Sequence, residues 1–406
     1  MTVYIGIDWS QDKHDVCFLD EAGESIARVV VSHSPEGFAR FEAHRQRLGA
    51  TPAECLVGIE TAHNLVIDYL WGHGYTQVYV IPPGQVNASR GRYRQSGARS
   101  DPSDAFVVAD MLRTDRKRLA LWRPDHVLTR QMRGRVSYLL HLTRSITRLS
   151  NRLRAVLWRY YPAALEVFSV LDSQIALEFV RVYPTPQAAA ELTLAEFKAF
   201  AQRQHYTHPR ELPKCFARLH QPQPQADLDT VLVFNDEAIQ LATLLLSFVQ
   251  AKREALRQLQ HLFQQHPDAP LFASLPGVGD FLAPALLVKF GDDRQRFPSP
   301  MQVQALAGTC PVTDRSGKRK VIRFRKACDH EFRTIVQQWA KASLKDSVWA
   351  NTYWQQVHQR GHSISHAYRC LANRWLAILW KCWQTRQPYD EAYHLQRRAA
   401  RNQSRA

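Results

Sequence analysis

Val3-Tyr4-Ile5-Gly6-Ile7-Asp8 and, further along, Cys55-Leu56-Val57-Gly58-Ile59-Glu60 decide how this chain folds. Each is an apolar run closed by a carboxylate, so each reads as a buried strand with an acid at its end. A second pair of acids stands in Ser100-Asp101-Pro102-Ser103-Asp104-Ala105. Pro102 and the helix formers after it mark a helix start, and the spacing of three places Asp101 and Asp104 on one face. Four carboxylates at strand ends and on a helix can meet around a divalent cation, Mg²⁺ or Mn²⁺. Such hard ions take oxygen ligands, and a pair of them can clamp the attacking and leaving oxygens of a phosphoryl displacement. A plainer reading makes Asp101 an N-cap and Asp104 a first-turn acid at the positive end of the helix dipole. It leaves Asp8 and Glu60 unexplained.

Val3–Ile7, Val16–Leu19 and Ile26–Val31 read as three strands, the last two joined by the turn Glu21-Ala22-Gly23-Glu24. A helix follows Ser34-Pro35, then the strand closed by Glu60, a helix over Leu65–Trp71, a strand over Val78–Ile81 and the helix opened by Asp101. Antiparallel strands followed by alternating helices and parallel strands describe a ribonuclease H-like α/β domain, expected over residues 1–125.

The remainder is mainly helical, so the fold class is α/β plus all-α. Leu139, Leu142, Ile146, Leu149, Leu153 and Val156 recur at spacings of three and four. They form a coiled-coil seam that serves equally well between chains or inside one. The helical region is expected over 126–266, with an insert at 161–226. Within the insert Thr193 and Glu196 suit a capping box. A second long helix is expected from Leu228 to Gln265, after the linker Gln221-Pro222-Gln223-Pro224-Gln225.

Pro267 and Pro270 open a C-terminal domain expected over 267–395. Its Leu275-Pro276-Gly277-Val278-Gly279 resembles the hairpin of a helix-hairpin-helix, whose amides can hold a phosphate. Ser316 falls in a turn within Asp314-Arg315-Ser316-Gly317-Lys318-Arg319-Lys320, followed by the alternating run Val321 to Lys326. A basic tail, 396–406, ends the chain.

Charge names a partner. Of 406 residues, 53 are Lys or Arg and 37 Asp or Glu, a net +16. Residues 84–160 hold seventeen basic and five acidic side chains, 17 − 5 = +12. A polyanion is expected there, because Lys and Arg that neutralise phosphates release counterions. Arg90, Arg92, Arg94 and Arg99, with glycines between them and Tyr93 able to stack a base, are the first candidates. Seven cysteines form no CxxC pair, which favours reduced thiols over a disulfide framework or zinc ribbon. His358, His362 and His366 have helical spacing but no interleaved cysteine or acid, so a solvated face is expected. No run of eighteen apolar residues and no signal-peptide pattern occur. The expected setting is a bacterial cytoplasm, close to the nucleoid, with no membrane partner.

Taken in order, Gly6-Ile7-Asp8-Trp9-Ser10, Gly58-Ile59-Glu60, Ser100 to Ala105, Leu275 to Gly279, and Ala307-Gly308 through Pro311 to Ser316-Gly317 resemble the transposases of insertion-sequence family 110, the bridge-RNA-guided serine recombinases. The resemblance spans most of the chain. It implies a RuvC-like domain whose metal-binding acids are Asp8, Glu60, Asp101 and Asp104, and a C-terminal domain whose nucleophile is Ser316. It further implies target and donor DNA, a structured noncoding guide RNA that pairs with both, a homo-oligomer from dimer to tetramer, and phosphoserine intermediates. The insert and the basic stretch Lys318, Arg319, Lys320, Arg323, Arg325 and Lys326 match no part of that pattern with a known role. By charge the stretch is a nucleic-acid contact.

Three other functions fit parts of the chain. A RuvC-type resolvase or a DNA invertase without an RNA guide would share the fold, the resolvase cutting with metal and water alone. An actin-like ATPase or sugar kinase would share the first hairpin but needs a second glycine-rich phosphate loop, which is absent. A non-catalytic RNA-binding protein would need none of the acids.

Overall fold

A computed structural model of the chain describes residues 2–61, 65–93, 101–317 and 319–403. They divide into two compact units, 1–124 and 125–406.

In the first unit β1 (Val3–Trp9), β2 (Lys13–Leu19) and β3 (Ser25–Ser32) form an antiparallel meander. Helix α1 (Pro35–Arg47) leads to β4 (Cys55–Ile59), and α2 (Leu65–Gly72) leads to β5 (Gln77–Val80). Both of these strands add in parallel, giving the order β3-β2-β1-β4-β5. Helices α3 (Pro83–Ser89) and α4 (Asp101–Asp115) follow.

The period of two along a strand sorts the side chains by face. Ile5, Ile7, Val57 and Ile59 pack with Phe41, Val66, Ile67 and Leu70 of α1 and α2. The opposite face receives α4, through contacts of Cys17 and Leu19 with Ala105 and Ala109, and of Leu56 with Leu112. On that face β1 and β4 each carry a glycine, and only a glycine fits. A Cβ on Gly6 would lie 2.0 Å from the Ala105 carbonyl oxygen and 2.5 Å from the Ala109 nitrogen. A Cβ on Gly58 would lie 2.8 Å from Val108 Cγ1. Helix α4 therefore rests its backbone directly on the sheet.

The second unit is built on two long helices, α5 (Val127–Tyr160) and α11 (Leu228–Gln264). Between them run α6 (Ala164–Val167), α7 (Gln174–Val182), α8 (Pro186–Ala190), α9 (Leu194–Arg203) and α10 (Leu212–Leu219). Phe179, Phe197 and Phe200 fill the core of this insert. The capping box at Thr193 is formed, the Thr193 amide donating to Glu196 Oε2 at 2.9 Å and the Glu196 amide donating to Thr193 Oγ1 at 3.3 Å.

Met132 and Val136 of α5 share a core with Leu259 and Phe263 of α11, while Leu153 and Val156 share another with Val231 and Leu241. The two helices are thus antiparallel. The seam residues Leu139, Leu142, Ile146, Leu153 and Val156 are buried inside the chain, so an intermolecular coiled coil has no use of them. The heptad spacing is the same whichever helix fills it.

Beyond α11 come α12 (Ala269–Ala273), α13 (Gly279–Phe290), α14 (Pro300–Leu306), a hairpin of β6 (Val312–Ser316) and β7 (Arg319–Arg323), then α15 (His330–Ala342), α16 (Val348–Gln359), α17 (Ile364–Thr385) and α18 (Glu391–Gln403). Trp339, Trp375, Trp383 and Phe290 anchor their core. Gly277, at φ +74°, lies where a Cβ would meet the Ser343 nitrogen at 2.5 Å. This first glycine of the expected phosphate-binding hairpin is required by the chain's own backbone at the end of α15. His358 and His362 are exposed and His366 is half-buried, with His362 stacked on His366.

Because the Gly6 contact is with backbone, no side-chain rotation can relieve it. Overpacking of this kind costs about 1–3 kcal/mol or more. Gly6→Ala is expected to lower the melting temperature of the first unit by roughly 5 °C or more. Gly84→Ala, which faces open space, should leave it unchanged in the same differential scanning experiment.

Candidate active site

Ile7 and Ile59 are the last paired residues of the parallel β1–β4 ladder. Asp8 and Glu60 therefore leave neighbouring strands side by side, the strands being about 4.8 Å apart. By the period of two their side chains share the face of Gly6 and Gly58, the face that α4 covers. Asp104 precedes Ala105, the residue whose carbonyl sits against Gly6, so docking of α4 brings a third carboxylate to this corner. All three are half-buried.

The strand end is not quite where the sequence put it. β1 continues to Trp9, and Asp8 pairs with Asp15 across the β1–β2 hairpin. The hairpin outruns β4, so Asp8 is at an end of the parallel pairing only. Asp101 opens α4 as expected, its side chain lying outside the described residues.

Burial pushes the Glu60 carboxyl above its ordinary value; the neighbouring Asp104 charge adds to the rise and Arg90 opposes it. The Arg90 guanidinium grips Asp104 with both arms, Nε to Oδ1 at 2.9 Å and Nη2 to Oδ2 at 2.5 Å, and also donates to Asn87 Oδ1. In this arrangement no three His, Cys, Asp or Glu side chains among the described residues converge closely enough to hold a metal ion. The donors nonetheless suit Mg²⁺ or Mn²⁺: they are carboxylate oxygens only, the Asp104 charge already acts on Glu60, and a guanidinium supplies the positive charge.

The basic segment is only partly free for phosphates. Arg90 is held by Asp104, and Arg92 pairs with Asp115 at 2.7 Å. Tyr93 donates to Asp110 Oδ2 at 2.5 Å and sets its ring edge against Phe106, so it is not poised to stack a base. Arg94 and Arg99 lie outside the described residues.

Ser316 ends β6, paired with Arg319 across the turn at Gly317, whose φ is +56°. Every residue of β6 is exposed, and the Ser316 hydroxyl has no hydrogen-bond partner among the described residues. Arg319 and Lys320 are exposed beside it; Arg323, which reaches Asp314 at 3.5 Å, and Lys326 are exposed toward and beyond the other end of the hairpin. Arg325 instead turns back to the Cys310 carbonyl at 3.3 Å. Phe324 lies between the guanidinium groups of Arg333 and Arg369, each 4.5 Å from its ring centre. Lys318 lies outside the described residues.

Two family models match the chain. A transposase model of the IS110 DEDD type covers residues 5–162, hence Asp8, Glu60, Asp101 and Asp104, and a model for the transposase IS116/IS110/IS902 family covers 269–355, hence Ser316. The IS117 mini-circle protein of Streptomyces coelicolor is 30% identical over 96% of both chains. The chain belongs to the IS116/IS110/IS902 family of transposases. The IS110 protein of Streptomyces coelicolor is 24% identical over 93% of each chain. The IS116 protein of Streptomyces clavuligerus is 25% identical over 93% of this chain and 94% of its own. As an IS110-family transposase the protein is an enzyme that acts on DNA, and a DEDD-type domain points to a divalent-metal requirement.

Arg90's grip on Asp104 and the closeness of α4 at Gly6 and Gly58 were not read from the sequence. The glycine two residues before each acid was the available signal, since it shares the acid's face.

Because folding holds the Glu60 proton to a higher pH than the unfolded chain does, ionisation of Glu60 opposes folding at neutral pH. Glu60→Gln removes that opposition. In EDTA the variant should melt above the wild type at neutral pH, and the difference should vanish once the pH falls below about 4, where Glu60 is protonated in both states. A variant that melts lower at pH 7 would contradict the crowded-acid geometry.

Proposed function

We propose that this transposase is an RNA-guided DNA recombinase that cuts and rejoins strands through a phosphoserine intermediate formed by Ser316. The first unit would serve as a RuvC-like, ribonuclease H-type domain. The single observation that carries this reading is the pairing of two incomplete sites: an acid corner without a nucleophile, and an exposed serine without a base.

A serine hydroxyl is a weak nucleophile at its free pKa, and nothing described around Ser316 activates it. Asp8, Glu60, Asp104 and Asp101 would hold the divalent cation, which supplies electrostatic stabilisation of the charge that builds on the phosphoryl oxygens. Arg90 would release Asp104 as the cation arrives. The Ser316 oxygen then attacks phosphorus as the bond to the deoxyribose oxygen breaks; the serine proton leaves to a base and the departing oxygen takes one up. The phosphodiester survives as a serine ester. A deoxyribose hydroxyl of another strand attacks it later, freeing Ser316 and rejoining DNA without ATP.

Target and donor would be chosen by a guide RNA, the protein reading backbone and helical shape. The net charge of +16 supports a polyanion beyond the DNA itself. Arg319 and Lys320, exposed next to Ser316 on the hairpin, would meet phosphates at the cleaved strand. Self-association, from dimer to tetramer, would use the exposed Leu228, Leu232 and Val233 of α11, since the α5 seam is filled. The working compartment would be the bacterial cytoplasm at the nucleoid.

Asp8→Asn, Glu60→Gln, Asp101→Asn and Asp104→Asn are each expected to abolish strand exchange while nucleic-acid binding persists, and EDTA should do the same to the wild type. With nicked DNA, the wild type should form a protein–DNA adduct stable on a denaturing gel, and Ser316→Ala should not. An adduct in Ser316→Ala would assign another nucleophile; cleavage that never yields an adduct would favour the hydrolytic resolvase. If Ser316 of one protomer serves the acids of another, mixing Ser316→Ala with Asp8→Asn should partly restore activity that neither has alone.

A further inference from the structure

We infer that the groove between the start of α5 and the end of α11 is a binding site for a phosphodiester strand, distinct from the acid corner and from the Ser316 hairpin. The inference rests on the nucleic-acid partner of the proposed function and gives it a place.

The groove is open, about 710 Å³, and takes one turn from each helix: Arg130, Gln131, Gly134 and Arg135 from α5, and Arg257, Gln258, His261 and Leu262 from α11. Its floor is fixed. Thr129 Oγ1, His266 Nε2 and Asp292 Oδ1 lie 2.9–3.1 Å from one another, tying the two helix ends together beside it. Arg130 and Arg135 pair with no carboxylate among the described residues. Arg257 meets only Glu254 on its own helix, both side chains largely exposed, a contact that a phosphate can replace at little cost.

Charge on α5 is one-sided: its 34 residues hold eight arginines and neither aspartate nor glutamate. Helix surfaces of soluble domains ordinarily mix both signs, so a polyanion is the chemistry that complements this one. Farther along the same helix, Thr143, Arg144, Thr147, Arg148 and Asn151 line a second hollow of about 450 Å³, where Arg144 is paired with Glu331 at 3.0 Å and Arg148 carries the basic track on.

Gly134 supplies an independent observation. Glycine weakens the interior of an exposed helix, and here no packing repays it, since a Cβ at this position would meet nothing within 4 Å. Its missing side chain keeps the groove open between Arg130 and Arg135, where a sugar-phosphate chain can approach the helix backbone. Gln131 and Gln258 offer uncharged donors, and the exposed Tyr138 one turn on offers a stacking surface.

The full-length protein would be titrated with a fluorescein-labelled RNA hairpin and, separately, a DNA duplex, across a range of salt. The triple variant Arg130→Gln, Arg135→Gln, Arg257→Gln should flatten the log–log salt slope by about two to three units on the strand that occupies the groove. Flattening on the RNA alone assigns the guide; flattening on the duplex alone assigns DNA. Gly134→Leu, which fills the groove without breaking the helix, should keep the wild-type melting temperature and weaken binding of the same probe at least tenfold. Unchanged slope and affinity on both probes would overturn the groove while leaving the proposed function standing. A wild type that binds neither probe would overturn both.

Discussion

The proposed acid site of the first unit depends on how closely α4 can approach the sheet. Gly6 and Gly58 stand on the face of β1 and β4 that α4 covers, and with any side chain at Gly6 the helix backbone would be lifted away. The acids Asp8 and Glu60 lie two residues beyond those glycines, on the same face by the strand period. Asp104 is carried on the helix itself, next to the residue in contact with Gly6. Packing and chemistry are thus set by one contact, since moving α4 outward would separate Asp104 from the other two carboxylates.

Crowding acids in a half-buried corner opposes folding, and the structure shows how the opposition is met. Arg90 neutralises Asp104 through a two-armed contact, while the Glu60 carboxyl is held above its ordinary pKa by burial and by Asp104. Under the proposed function such a corner would take a cation. The serine end is the reverse case: Ser316 is held on an exposed hairpin among cations, with no acid or base of its own to activate it. Under the proposed function, neither place would cut DNA by itself.

Much of this was legible in the chain. Apolar runs closed by Asp8 and Glu60 announce strands with acids at their ends, and the change from period two to three and four marks the passage into helices. The mixed sheet, the two long helices and the helix opened by Asp101 all follow that pattern. Three features were not legible, for physical reasons. A heptad seam looks the same whether a second chain or α11 fills it. Arg90 reads as a phosphate ligand until α3 and the turn after it bring it to Asp104, fourteen positions away in sequence. Arg130, Arg135 and Arg257 form a groove only because α5 and α11 are antiparallel, a long-range relation that neither helix encodes alone.

In the proposed function β1, β4 and α4 assemble one cation site. Calorimetric titration of Mn²⁺ into the metal-free protein tests it most directly. Saturable binding to the wild type is expected, abolished in Asp104→Asn even though that variant keeps its fold, and tightened in Arg90→Gln, where Asp104 no longer has to be released. Equal binding by all three proteins would contradict it.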